Sequence, residues 1–519
     1  MSGAPIDKLS PVRRVLAIPE LFRLICGILG NKAVKLIYLS RDMFPGAASV
    51  IWQDVDIQHL LALIPGTKRT NETPDRKLYP ICVFDLPSEI NLQRFELYAR
   101  FVRRLYTLGP CTINFPPHWM QSKQEIAAMP LLPNLLHLDI HHRTSIRREE
   151  LEWSSMFIGP RLLRFETHGT SFERRPQTEE ETIIGLVTKM SEVCSRLETL
   201  SVPCRKDLSL PILDFHNLRA FSINECGISD ELLHTLSRLP YLEKLSVLQE
   251  MLDPPRETCK QPIELSDESF PSLRRLVLNY ISPFLIARFC TSTKLFHKLV
   301  SASILFGFDN NNVSMDSVQR LNTAVFSLGR NSPHITNLAI SLTCWFVPTW
   351  SIIDSFKHMP LISLDLCLVP LESEYYIVHQ TEPDFPPIGW RDFLAAVPLL
   401  EELKLNAQTF KSSELPIFAT LLPHLRLLKF DGIECSGTEE VLPIVGWRPA
   451  TQPITIRVGV FSIKASRSSS TSNVARYFHY LWPNVTFKTG EGSAKALVAK
   501  LNRAIKSLKA EEFRVEINA

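Results

Sequence analysis

Apolar positions recur along this chain with one internal spacing, Leu-x-x-Leu-x-Leu/Ile/Val, through its middle and late parts. The spacing stands at Leu135/Leu138/Ile140, Leu197/Leu200/Val202, Leu218/Phe221/Ile223, Leu242/Leu245/Val247 and Leu273/Leu276/Leu278. It continues at Ile335/Leu338/Ile340, Leu361/Leu364/Leu366, Leu400/Leu403/Leu405 and Leu425/Leu428/Phe430, with a weaker copy at Leu162/Phe165/Thr167. Residues two apart on a strand point the same way, so the last two positions of each copy predict a short strand with one buried face. The first Leu closes the turn into it. Between the strands the spacing turns helical, at Ile183, Ile184, Val187, Met190 and Cys194, and again at Val318, Leu321, Val325 and Leu328, with Gly329 as the expected C-cap. Within 226–247, Ser229 or Asp230 is expected to cap a helix that buries Leu232, Leu233, Leu236 and Leu239.

The first anchors step by 27, 35, 21, 24, 31, 62, 26, 39 and 25 residues. Splitting the longest step, where a degenerate copy is expected, gives a mean of about 29. Strand followed by helix at this period resembles the leucine-rich repeat. The implied fold class is α/β: a small N-terminal three-helix unit, then an irregular leucine-rich-repeat solenoid, a curved parallel sheet with outer helices.

Ahead of the repeats, Pro19 stands where a helix begins, and Leu21, Leu24, Ile25, Ile28 and Leu29 follow at helical spacing. Gly30 ends that helix, a second carries Val34, Leu36, Ile37 and Leu39, and a third is expected over 47–52 after Pro45 and Gly46. A unit of about 45 residues is marginal alone and wants a partner over its apolar surface. Ile18, Pro19, Glu20 and Leu21, then Ile25 and Leu29, then Leu39, Ser40, Arg41 and Phe44, and finally Trp52 and Val55 resemble the F-box over residues 12–56. The likeness is to the F-box-like domains of expanded fungal families; Ile18 and Ser40 stand where the family usually has Leu and Cys. The segment CGISDELL (226–233) is similar to the cysteine-containing repeat that accompanies F-boxes. This resemblance implies a substrate-receptor subunit of an SCF-type (cullin-RING) ubiquitin ligase. The F-box would dock on a Skp-type adaptor through Ile18, Pro19, Leu21 and Ile25, with Trp52 supporting its fold, while the repeats hold a protein substrate. A leucine-rich-repeat scaffold with no ligase role is the competing reading.

Composition narrows the classes. Of 519 residues 45% are hydrophobic and 21% charged, which excludes wholesale disorder. With 57 basic against 54 acidic side chains the net charge is +3, so no nucleic-acid partner is expected. Eleven cysteines without a Cys-x-x-Cys pair point to reduced thiols in cytosol or nucleus, with neither disulfides nor structural zinc. No run approaches the ~18 apolar residues of a membrane span, and no secretory leader is read at 15–29, so a soluble, intracellular protein is expected. A non-catalytic protein without cofactor is expected too, because no Gly-x-Ser-x-Gly elbow or phosphate-binding glycine motif occurs. His137, Asp139, His141 and His142 are the sharpest metal candidates, weighed against a solvated strand face. Residues 99–106, with Arg100, Arg103 and Arg104, are expected to form a helix with an exposed basic face.

The expected organisation is a helical unit at 12–56, a connecting region at 57–130 with a flexible link at 66–79, repeats at 131–490, and a capping helix and strand at 491–519. Residues flanking the second anchor of each copy should face away from the core. Among them His137, Asp139, Arg164, Glu166, Lys244, Arg275, Asp365, Glu402 and Lys404 are the expected substrate-binding residues. Their mixed charge suits a polar protein face better than a lipid or a polyanion.

Overall fold

A strand whose alternate residues are leucine is stable only when a second layer covers that side and further strands pair its backbone. The computed structural model meets both needs. It describes residues 15–16, 18–37, 41, 43–72, 81–88, 91–107, 111–114, 131–142, 148–169, 177–202, 204, 208–248, 265–266, 268–291, 293–306, 315–342, 355–368, 390–435, 452–463, 469–489 and 494–518. The chain divides into two units, Met1–Leu242 with Glu250–Asp253, and Glu243–Gln249 with Pro254–Ala519. Each is a run of leucine-rich-repeat-type strand–turn–helix modules.

The first unit contains β1 (Asp54–Asp56), β2 (Lys68–Glu72), β3 (Ile81–Asp85), β4 (Arg104–Thr107), β5 (Cys111–Asn114), β6 (His137–His142), β7 (Arg164–Gly169), β8 (Thr199–Val202) and β9 (Ala220–Asn224). Strands β1, β4, β6, β7, β8 and β9 pair in parallel in that order. A separate small sheet sets β2 antiparallel and β5 parallel to β3. Register places Leu105, Leu138, Phe165, Leu200 and Phe221 in one row. All five are buried. Each such side chain contributes roughly 1.5–3 kcal/mol of hydrophobic stabilisation.

The second unit holds β10 (Lys244–Leu248), β11 (Arg275–Ile281), β12 (Ser301–Phe306), β13 (Asn337–Leu342), β14 (Ser363–Leu368), β15 (Glu402–Lys411), β16 (Leu427–Cys435), β17 (Ile454–Ile463) and β18 (Val485–Thr489). They pair in parallel in sequence order. Leu245, Leu276, Ala302, Leu338, Leu364, Leu403, Leu428, Ile456 and Phe487 form its buried row. The degenerate copy expected in the longest gap is β12, where Leu299, Ala302 and Ile304 keep the spacing with Ala in the central place.

In most copies one bond from the first anchor closes the turn into the strand. The N–H groups of Leu135, Leu197 and Leu218 donate to the carbonyls of Leu132, Cys194 and Phe215 at 3.1, 3.0 and 3.1 Å. Helices then cover the leucine side. Phe418 on the helix Leu415–Leu421 meets Phe430 at 5.6 Å between ring centroids, and Phe478 on Ser469–Leu481 meets Phe487 at 4.8 Å. Among the described residues no such ring contact lies on the other face of each sheet. The helix Asp230–Ser237 starts as expected, with Ser229 Oγ accepting from the Leu232 N–H at 2.9 Å.

Several expectations are corrected. Gly329 is not a C-cap, because the helix Met315–Asn331 runs through it. A Cβ there would stand 2.6 Å from Ser355 Cβ, so the glycine permits a close approach of backbone. Residues 99–106 do not form one helix: the helix Gln93–Ala99 stops, and Arg104 opens β4 two residues after buried Val102. The connecting region 57–130 carries β2 to β5, and β2 lies inside the link expected at 66–79. At the other end the helix Ala494–Asn518 occupies the place of the expected final strand. Its Lys, Glu and Arg content favours helix continuation over the short Phe/Val/Ile alternation. That helix also closes the last strand: Asn502 accepts from the Phe487 N–H and donates to the Phe487 carbonyl, both at 2.9 Å.

Candidate interaction surfaces

The N-terminal helices are Pro19–Leu29, a 3-10 turn Gly30–Ala33, Val34–Ile37 and Phe44–Ile51. Apolar residues lie on more than one side of the first helix, and packing selects only one of them. Phe22 and Cys26, one turn apart, are buried against Ala33 and Ala47. A Cβ on Gly46 would stand 2.4 Å from Phe22 Cδ1, so the ring rests directly on backbone. The remaining apolar side faces solvent: Ile18 is 44% exposed, Leu21 39%, Leu24 62% and Ile28 79%. Val15, Leu29 and Val34 are exposed as well. Of the residues expected to bind an adaptor, Ile18, Pro19 and Leu21 are exposed and Ile25 is half-buried. Trp52 is half-buried with its ring 4.5 Å from that of Tyr98, and Phe44 meets the same tyrosine at 5.5 Å. These contacts fasten the helices to the helix Gln93–Ala99. Leu24 and Ile28 were left out of the expected set; small residues at 33, 46 and 47 were the sequence signal that the Phe22 side is the buried one.

The face of the first unit opposite its buried row carries charged residues in two adjacent rows. Asp54, Arg104, His137 and Arg164 are neighbours in one row; Asp56, Tyr106, Asp139 and Glu166 form the next. Arg104 Nε and Nη2 both reach Asp139 Oδ2, at 2.8 and 2.7 Å. This hydrogen bond first, and the carboxylate charge second, hold the Arg104 pKa above its ordinary value. Arg164 Nη2 bonds Glu166 Oε2 at 2.6 Å. Asp139, expected to be solvated, is 1% exposed, and Glu166 is also buried. Strands roughly 4.8 Å apart let Arg104 lie across the carboxylate of Asp139, while Arg164 covers Glu166 two residues along its own strand. Both acids are therefore engaged within the chain. Of the metal candidates, Asp139 is held by Arg104, and the side chains of His141 and His142 lie outside the described residues. Among the described residues no group of three or more His, Cys, Asp or Glu is placed to hold a metal ion.

In the second unit Lys244 and Arg275 are exposed neighbours on β10 and β11. Asp365, Glu402 and Lys404 come together as a cluster. Lys404 Nζ lies 3.8 Å from Asp365 Oδ2 and 3.9 Å from Glu402 Oε2, and Asn406 donates to Asp365 at 2.7 Å. The row continues from Asp365 through Lys404, Lys429, Arg457 and Lys488 on consecutive strands.

The described cysteines are free thiols, all but Cys226 buried. Burial pushes the Cys194 thiol up to about 12 and raises those of Cys26 and Cys290. Such thiols stay protonated and are poor nucleophiles at neutral pH. A pocket in the first unit is lined by apolar side chains, among them Leu61, Ile64, Phe95, Ile113, Met156 and Phe157. It offers no polar side chain to orient a reactant. Among the described residues no helix is long and apolar enough to cross a membrane.

No family model matches the sequence. No curated protein matches it. Among solved structures the chain is similar to the crystal structure of a TLR13–ssRNA13 complex, at 12% identity and a TM-score of 0.30. The match covers 78% of this chain and 56% of that chain, so this chain spans little more than half the length of that protein.

Proposed function

We propose that this protein is a substrate-receptor subunit of an SCF-type ubiquitin ligase in the cytosol or nucleus. Its N-terminal helices dock on a Skp-type adaptor of the cullin-RING complex, and its repeats hold a protein substrate. The observation that carries this reading is the exposed apolar side of the helix Pro19–Leu29. Ile18, Leu21, Leu24 and Ile28 face solvent while Phe22 and Cys26 fill the unit's own core. An apolar patch on one rigid helix is what a helix-in-groove partner covers. The F-box resemblance implies the adaptor as that partner. Buried free thiols suit a reducing compartment.

The test is co-purification of the adaptor with the intact protein and with the double variant Leu24→Glu/Ile28→Glu. Both positions are solvent-facing, so the melting temperature should hold. Adaptor recovery should fall roughly tenfold or more, since each buried apolar side chain contributes about 1.5–3 kcal/mol to an interface of this kind. Equal recovery from both proteins would show that this helix side is not the adaptor contact, and no recovery with the intact protein would leave a leucine-rich-repeat scaffold without a ligase role as the correct reading.

A further inference from the structure

We propose that the face of β15 to β18 opposite their buried row is a docking surface for an acidic segment of a partner protein. The proposal rests on the reading that the repeats hold a protein, and is independent of adaptor docking.

Four cations line up across this face. Lys404, Lys429, Arg457 and Lys488 are direct cross-strand neighbours. Strand spacing of roughly 4.8 Å gives a row about 14 Å long. Like charges directly opposite each other destabilise a sheet, so nothing in folding favours this arrangement. Lys404 is offset by Asp365 and Glu402. Lys429, Arg457 and Lys488 form no ion pair among the described residues, and Arg457 and Lys488 are exposed. Asp431 and Glu434 are the carboxylates of β16, two and five residues beyond Lys429. In a chain of net charge +3 this is a local separation of charge. It continues in residues 485–510, where Lys488, Lys495, Lys500, Arg503, Lys506 and Lys509 face a single acid, Glu491.

The complementary ligand is a run of carboxylates, with Thr455 and Thr486 in the adjacent row as hydroxyl donors. A nucleic-acid strand would call for aromatic platforms beside the cations. Here Phe430, Phe461 and Phe487 are all buried. An extended acidic peptide needs only the charges and the hydroxyls.

The experiment measures anisotropy of fluorescein-labelled octaglutamate with the full-length protein at about 50 mM salt, where surface charges are weakly screened. Saturable binding that weakens with added salt is expected. The triple reversal Lys429→Glu/Arg457→Glu/Lys488→Glu should weaken it roughly tenfold or more, because charge complementarity becomes repulsion. The control reversal Lys500→Glu/Arg503→Glu/Lys506→Glu on the helix should weaken it less than about threefold. A charge-neutral triple variant, Lys429→Gln/Arg457→Gln/Lys488→Gln, guards against misfolding and should fall between wild type and the reversal. Absence of saturable binding overturns the proposal, as does equal loss in the helix control. Tighter binding of a single-stranded RNA octamer, lost in the same triple reversal, would overturn it in favour of a nucleic-acid surface. Loss of adaptor co-purification with octaglutamate binding retained would remove only the adaptor reading.

Discussion

Leu245→Asp is expected to lower the unfolding free energy by about 4 kcal/mol, through lost packing and a carboxylate buried without a partner. Leu245 is fully buried and its row neighbour is Leu276. In a repeat array each module is stabilised mainly by its neighbours, so the damage spreads into β11. Lys244 sits one residue earlier on the opposite face and is exposed. Lys244→Asp should therefore shift stability by no more than about 0.5 kcal/mol. Urea unfolding of the two variants side by side measures the difference. Coincident midpoints would mean that β10 is paired one residue out of register.

Arg104→Ala is the second large effect, expected at roughly 3 kcal/mol. Asp139 Oδ2 takes both guanidinium contacts, and Oδ1 has no hydrogen-bond partner. Removing the arginine strands a buried charge. Adding Asp139→Ala should then recover part of the loss, because the stranded group is gone. The double variant melting below Arg104→Ala would show that Asp139 has another source of stabilisation. Arg104 is half-exposed and a surface ion pair is worth little, so an effect under about 1 kcal/mol would place Asp139 in contact with water.

The strand register from Leu135 to Phe430 and the capped helix at 230 were legible because each copy repeats one local spacing. Modules that break the local pattern were hidden. In β12 Ala302 replaces the central Leu, and β17 and β18 enter through Ile454 and Val485 instead of a leading Leu. Asp139 read as solvated because its cover, Arg104, comes from a strand 35 residues earlier. The basic row is invisible in linear sequence for the same reason. Its members are 25, 28 and 31 residues apart, and only register aligns them. On the helix Pro19–Leu29 the periodicity announced an apolar side, but the choice between Phe22 and Leu24 as the inner residue depended on Gly46 and Ala47 across the fold.

The amide of Asn502 has a consequence for assembly. A parallel sheet has no intrinsic length; each outer strand is a template for the next, and growth between copies related head to tail produces open filaments. On β18 the outward N–H and carbonyl of Phe487 are such a growth point, and the Asn502 side chain presents to them the same donor and acceptor that another strand would. It acts as a chain terminator in the polymer sense. Asn502→Ala should cost only about 1–2 kcal/mol of folding stability. Its larger effect should be concentration-dependent elongation, seen as rising light scattering with nuclei that seed fresh protein.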